Sequence, residues 1–330
     1  MALTMSGVDR ISALSNDILV HILSFLESKM AAATSILSSR WRNLWHSVST
    51  VDLDDALFRY DKELFVRFAY AVMLSRDVTQ PILNFRLKFE YPSCDECDVE
   101  LWLNTAIQRQ VERIELHARI MTLPIGILTC ASLVVLKLEF LIVDRILTVH
   151  LPALKTLYLM RVVFAEDEYL GMILSGCPNI EDLQINYYSY FGLEFSPLAI
   201  TFRNLIQMKL SVYDCKWGLL VGLLKSCPLL QILVIRKEKK SVSGLDPLNQ
   251  CYTQTVPGCL SSHLRACTIK DFHGADVDIQ FAIYILQNAS LLKKMTICCS
   301  SSSRKGDRFE ILKKISKVAR ISTTCELLFE

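Results

Sequence analysis

Residues 177–185 read Cys-Pro-Asn-Ile-Glu-Asp-Leu-Gln-Ile, and residues 227–235 read Cys-Pro-Leu-Leu-Gln-Ile-Leu-Val-Ile. Each stretch contains the template apolar-x-x-apolar-x-apolar, and that template occurs nine times along the chain. It stands at Ile82-Phe85-Leu87, Val111-Ile114-Leu116, Leu133-Leu136-Leu138, Leu154-Leu157-Leu159 and Ile180-Leu183-Ile185. It continues at Leu205-Met208-Leu210, Leu230-Leu233-Ile235, Leu264-Cys267-Ile269 and Leu292-Met295-Ile297. Successive copies start 21 to 34 residues apart. The last two apolar positions of each copy are two apart, the period that puts side chains on one face of a strand. A chain that repeats one small unit at such a period stacks its units to bury a continuous core.

A second signal is locked to the first. Cys130, Cys177 and Cys227 each stand three residues before a first template position, and Ala289 does the same in the last copy. Small apolar groups at one fixed offset read as packing residues of a stacked core, where a free thiol behaves as a small hydrophobe. Stretches such as 167–174 and 217–224 supply the outer helix of a repeat. The period lies inside the range of leucine-rich repeats, about 20–29 residues, and the middle of the chain resembles that family. The asparagine usual after the strand is largely absent, so the repeats are irregular. The expected core architecture is an α/β solenoid, with parallel strands on the concave face and helices outside.

The N-terminus has a different period. Leu14, Ile18, Leu19, Ile22, Leu23 and Leu26 follow the 3, 4, 7, 8 spacing of an amphipathic helix. Ser15 or Asn16 can cap its start, and Ser28 a second helix through Met30, Ala33, Ile36 and Leu37. A third short helix carries Trp41, Leu44 and Trp45, two of the chain's four tryptophans. Periodicity alone is also satisfied by an ordinary helical cap on a larger domain. The order of residues adds to it: Ile11-Ser12, Leu14, Ile18-Leu19, Ile22-Leu23-Ser24-Phe25-Leu26, then Leu37-Ser38-Ser39-Arg40-Trp41-Arg42-Asn43-Leu44-Trp45. This resembles the F-box over about forty residues. The family usually has proline where Ser15 and Glu27 stand, and often lysine where Ser39 stands. Loss of a first-turn proline removes a pre-set φ but leaves the helix formable.

At the other end, Val256-Pro257-Gly258 opens a strand around 264–269, and a helix from Asp276 through Asn288 leads to Leu291-Leu292-Lys293-Lys294-Met295-Thr296-Ile297. A polar loop, 300–306, precedes a further helix in which Asp307 and Glu310 have capping-box spacing, and the chain closes on an apolar strand, Cys325 to Phe329. This order resembles the FBD domain that ends many plant F-box/leucine-rich-repeat proteins. The expected division is 1–55, a three-helix F-box; 56–255, the repeat solenoid; and 256–330, an FBD-like αβ cap.

Composition narrows the function. The formal net charge of +2 and pI near 7.9 give no electrostatic footprint for nucleic acid or membrane. The uncharged run 120–136 contains Pro124 and Gly126 and reads as a turn and strand rather than a membrane span. Twelve cysteines without a secretory signal imply reduced thiols and a location in the cytoplasm or nucleus. Cys94 and Cys97 form one close pair, but zinc wants a second, and no strand-turn-helix pattern supports a redox motif. Six scattered histidines and the lack of any phosphate loop or nucleophile elbow leave no catalytic constellation. The run 236–240 reads as a solvated turn rather than an import signal. No cofactor and no metal are expected.

The resemblance implies a non-catalytic, substrate-recruiting subunit of a Skp–cullin–F-box ubiquitin ligase. Its partners would be the Skp adaptor, through it the cullin and RING subunits, and an unknown target protein. The adaptor would meet Leu14, Ile18, Leu19, Ile22, Leu23, Leu26, Ile36, Leu37, Trp41 and Trp45. Strand alternation sends Leu157, Leu183 and Met208 into the core, so Lys137, Tyr158, Gln184, Lys209 and Val234 form a row for the target. The other reading is a repeat scaffold for protein interaction with no ligase role.

Overall fold

In a computed structural model, the structure describes residues 10–59, 61–90, 95–166, 168–187, 200–212, 217–237, 255–300 and 305–330. Cys94, most of the 236–240 run and most of the 300–306 loop lie outside the described residues. The chain divides into two compact units, Met1–Arg119 and Ile120–Glu330.

The first unit opens with α1 (Asn16–Leu23), capped by Ser15, whose side chain accepts from the Ile18 amide at 3.4 Å. Helix α2 (Ser28–Ala33) runs into a 3-10 turn, Thr34–Ile36. The tryptophan segment is also a 3-10 helix, Trp41–Ser47. Ser28 does not cap α2: it is buried as the first helical residue, and its hydroxyl oxygen accepts from the Asp52 amide at 2.9 Å. The cap position falls to Glu27, which makes no side-chain capping bond.

Strand β1 (Thr50–Asp54) then starts a parallel ladder with β2 (Asn84–Phe89) and β3 (Arg113–Thr122). Val51, Phe85 and Ile114 share one rung, and Leu53, Leu87 and Leu116 the next. All six are buried. Val48, Val51 and Leu53 are thus a further copy of the repeat template, inside the stretch read as part of the helical module. Helices α3 (Lys62–Ser75) and α4 (Glu96–Gln108) connect the strands, as parallel pairing demands. They pack through Phe65 and Trp102, edge to face with centroids 6.4 Å apart.

In the second unit, β4 (Val135–Val143), β5 (Thr156–Phe164), β6 (Asp182–Tyr187), β7 (Gln207–Val212) and β8 (Ile232–Lys237) pair in parallel and in chain order. The ladder continues through β9 (Ala266–Phe272), β10 (Lys294–Cys299) and β11 (Glu326–Phe329). One rung is Leu136, Leu157, Leu183, Met208, Leu233, Cys267, Met295 and Leu327. The template positions therefore line up strand by strand on the buried face, as the repeat reading requires. Helices α5 (Glu168–Ser175), α6 (Trp217–Lys225), α7 (Gly258–Ser262), α8 (Asp276–Asn288) and α9 (Lys305–Ser316) complete the unit.

The recurring cysteine marks the handover from helix to strand. Cys177 Sγ donates to the Ile173 carbonyl at 3.1 Å and Cys227 Sγ to that of Leu223 at 3.3 Å, each four residues back, while their own carbonyls accept from Ile180 and Leu230. The side chain thus uses one of the carbonyls that a helix end leaves without a partner. Gly176 precedes it because a Cβ there would lie 2.8 Å from the Val149 carbonyl oxygen. At the C-terminal end, fully buried Asp278 accepts from Lys237 at 2.7 Å and from the Trp217 indole at 3.1 Å, tying α8 to β8 and α6. Helix α9 spans Lys305–Ser316, so Asp307 and Glu310 both lie within it rather than at its start. Residues 120–136 hold the end of β3, a 3-10 turn and the start of β4. No helix among the described residues is long and apolar enough to cross a membrane.

Candidate functional site

The helices of the first unit have two apolar sides. Leu19 and Leu23 turn inward and, with Ala31, Leu44 and Val48, make a small core of their own. Leu14, Trp41 and Trp45 pack against that core while half-buried. The other side stays out: Ile18, Ile22 and Leu26 are 47, 41 and 37 % exposed, and Ile36 and Leu37 87 and 63 %. Phe25, in the turn after α1, and Met30, on α2, are absent from the residues expected to meet an adaptor and are exposed at 76 and 54 %. Both fall within the stretch whose order carried the F-box reading or beside it, and their size was the available signal.

Several polar contacts hold this module in shape. Arg40 donates from Nε to Asn16 Oδ1 at 2.9 Å, from Nη1 to the Ser12 carbonyl at 2.7 Å, and from Nη2 to that of Leu14. That fork fixes the arm leading into α1. Lys29 caps the ring of Phe58 with its Nζ 4.0 Å from the centroid and donates to the Leu57 carbonyl. Buried Arg76 donates to the carbonyls of Val48 and, at 2.7 Å, Thr50. Burial, with the charge of Arg109, pushes its guanidinium down to about 10. Partial burial and the Arg76 charge also lower the His46 imidazole, which lies edge-on to Trp45 at 4.1 Å.

On the sheet, the expected row is a physical row. Lys137, Tyr158, Gln184, Lys209 and Val234 are register partners across β4 to β8, and Thr268 continues the line. They alternate with the buried rungs and so form the outer face of the sheet. Lys137 Nζ stands 5.4 Å from the Tyr158 ring centroid. The Tyr158 hydroxyl donates to Asp182 at 2.8 Å, and Gln207 donates to the same carboxylate at 3.0 Å. Gln184 donates to Met160 Sδ at 3.3 Å.

With that geometry described, comparison with known families matches three models in order. The F-box domain covers residues 11–51, the repeats described as "FBD-associated F-box protein At5g56370, LRR repeats" cover 99–192, and FBD covers 253–297. The chain is an F-box/FBD/leucine-rich-repeat protein. Curated relatives in Arabidopsis thaliana agree along the whole length. F-box/FBD/LRR-repeat protein At4g26340 is 26% identical over 98% of this chain and 100% of its own. Putative FBD-associated F-box protein At5g56440 is 25% identical over the same shares. F-box/LRR-repeat protein At4g14103 is 37% identical over 58% of this chain and 53% of its own.

The F-box match ends at Val51, within β1, so the F-box of this F-box/FBD/leucine-rich-repeat protein passes directly into the first strand of its ladder. Of the ten residues expected at the adaptor, Leu19 and Leu23 are core residues of the module. Ile18, Ile22, Leu26, Ile36 and Leu37 are the ones left on its surface.

Proposed function

We propose that this chain is the substrate-recruiting, non-catalytic subunit of a Skp–cullin–F-box ubiquitin ligase, working in the cytoplasm or nucleus. The observation that carries the reading is the outer apolar row of the F-box helices: Ile18, Ile22, Phe25, Leu26, Ile36 and Leu37. The module's own core is closed without them. Burying one such side chain contributes roughly 1.5–3 kcal/mol, so a groove that covers several would bind this face firmly. Through the Skp adaptor the chain would join the cullin and RING subunits. The repeats, in the division 1–55, 56–255 and 256–330, would hold the target on the row from Lys137 to Val234. Transfer chemistry would belong to the other subunits, with this one raising the local concentration of target lysines.

The test is co-purification of the full chain with a Skp-type adaptor. Ile18→Asp with Ile22→Asp puts charges on the exposed side, where folding tolerates them, and should reduce adaptor capture to background. A folded wild-type chain that captures no Skp adaptor would leave the repeat-scaffold reading in its place.

A further inference from the structure

The outer sheet faces of the two units handle charge differently. On β1–β3 the charges cancel in place: Arg86 lies 3.4 Å from Asp52 and 3.9 Å from Glu115, Lys88 3.3 Å from Asp54, and Arg113 3.6 Å from Glu115. On β5–β9 they do not. Arg161, Lys209 and Lys270 have no salt-bridge partner among the described residues. Of the acids on the same face, Asp182 accepts from Tyr158 and Gln207, Asp271 pairs with Arg236 at 3.5 Å, and Glu139 stands on β4 opposite Met160. The face carries Lys137, Arg161, Lys209, Arg236 and Lys270 against Glu139, Asp182 and Asp271, and that excess of cations attracts negative charge.

A second feature coincides with it. Phe140, Arg161 and Asp271 hold left-handed backbone angles, φ 58°, 53° and 54°. Each stands at the same place in its repeat, two residues after the second inward position (Leu138, Leu159 and Ile269). The inward alternation skips there, resuming at buried Leu141, Val162 and Phe272. The skips at Arg161 and Asp271 are bulges against the neighbouring strand, each adding one more residue to the outer face, and backbone strain repeated at one site marks a place where the side chain's direction matters. The gain is an aromatic and cationic patch. The Arg161 guanidinium lies 5.0 Å from the Phe140 ring centroid, and the Glu139–Met160 row, with Met160 half-buried, separates that pair from Lys137 and Tyr158. Aromatic residues, arginine and methionine are the types enriched where proteins meet proteins.

We propose that β4–β9 bind an extended acidic segment of a target polypeptide. An aromatic or aliphatic side chain of that segment anchors on Phe140, Tyr158 and Met160, and its carboxylates meet Arg161, Lys209 and Lys270. The three cations stand on alternate strands but at different heights, Lys209 in the Tyr158 row, Lys270 in the Met160 row and Arg161 just beyond it, so at about 4.8 Å per strand and about 3.3 Å per residue neighbours are roughly 12 Å apart. An extended chain covers that distance in about four residues, so acidic residues about four apart reach neighbouring cations. Three separated cations with Asp182, Gln184 and Asn186 among them offer a nucleic acid little of the phosphate neutralisation that drives its binding. The inference rests on the reading that the outer face holds the target, and names the target's chemistry.

The experiment screens the full chain against phage-displayed random peptides. The selected peptides, and an oligouridylate of equal length, are then measured by fluorescence anisotropy. Selection should enrich Asp and Glu about four apart beside an aromatic or large aliphatic residue. Arg161→Glu, Lys209→Glu and Lys270→Glu together should weaken those peptides about tenfold or more, with the circular dichroism spectrum unchanged. Peptides without acidic enrichment, an affinity indifferent to the triple reversal, or tighter binding of the oligouridylate would each overturn the proposal. Skp adaptor capture is read on the same preparations. Its failure alongside intact acidic selection counts against the ligase role and for this binding site.

Discussion

Cys177 ends one repeat's helix and starts the next turn, and its environment fixes its chemistry. Burial pushes its thiol up to about 12, Cys259 up to about 11 and Cys267 up to about 12. Burial, and secondarily the nearby Cys259, raises Cys227 as well. Each folded value is above the unfolded one near 9, so the stabilising contribution is complete below pH 9. It is lost as pH rises from there towards the folded values, because the unfolded chain sheds protons that the fold retains. The urea midpoint should hold steady up to about pH 8.5 and fall between about pH 9 and 11. Cys177→Ala with Cys227→Ala should flatten that fall, and an unchanged slope in the double variant would contradict the assignment. In iodoacetamide at neutral pH, exposed Cys97 should label first. The fixed offset before the template made Cys130, Cys177 and Cys227 legible as packing residues. Cys267 was legible too, standing at an inward template position. Cys259 was not, because its burial in α7 depends on contacts that no local period records, such as its Sγ donating to the Leu224 carbonyl at 3.4 Å.

At the scale of one element, α1 shows what a period can and cannot tell. Its apolar positions satisfy the helical spacing, and the helix forms with the Ser15 cap that the sequence offered. The stripe is wide enough to have an inner and an outer edge, and spacing does not say which is which. The choice is made by Leu44 and Val48 returning from later in the chain to meet Leu19 and Leu23. That contact is long-range, which is why the sequence reading placed all of the stripe at the adaptor. The same limit hid β1, whose template copy at Val48, Val51 and Leu53 directly follows the helical segment. Leu19→Asp with Leu23→Asp should therefore act on folding, since a carboxylate cannot be buried unpaired in an apolar core without a cost of several kcal/mol. The pair should abolish the cooperative thermal transition of the first unit, whereas Ile18→Asp with Ile22→Asp should leave it in place. A double Leu variant that still melts cooperatively at the wild-type temperature would place those leucines outside the core.

Across the whole chain, the strands were readable because one template position maps to one rung. The register from Leu136 to Leu327 is the direct consequence of a leucine-rich period on a parallel ladder. The outer row follows by alternation, which is why Lys137, Tyr158, Gln184, Lys209 and Val234 are legible together in the sequence. What alternation leaves out is the chemistry between neighbours. Tyr158 is tethered to Asp182, and the left-handed residues Phe140 and Arg161 pair beyond the Glu139–Met160 row. Tyr158, Gln184 and Lys209 occupy three adjacent strands and carry an aromatic ring, an amide and a cation on one line. They sit on the opposite face from the buried rungs, so their removal leaves the core's packing intact. Replacing all three with alanine should sharply reduce the set of proteins captured with the full chain from cells in which the proteasome is inhibited. Skp adaptor recovery measures the other end of the molecule in the same experiment and should stay at the wild-type level. A truncated ring costs binding most at the centre of an interface, where aromatics and arginines dominate the energy, so Tyr158→Phe should retain more capture than Tyr158→Ala. If the triple alanine chain recovers the same proteins in the same amounts, the target is held elsewhere on the protein.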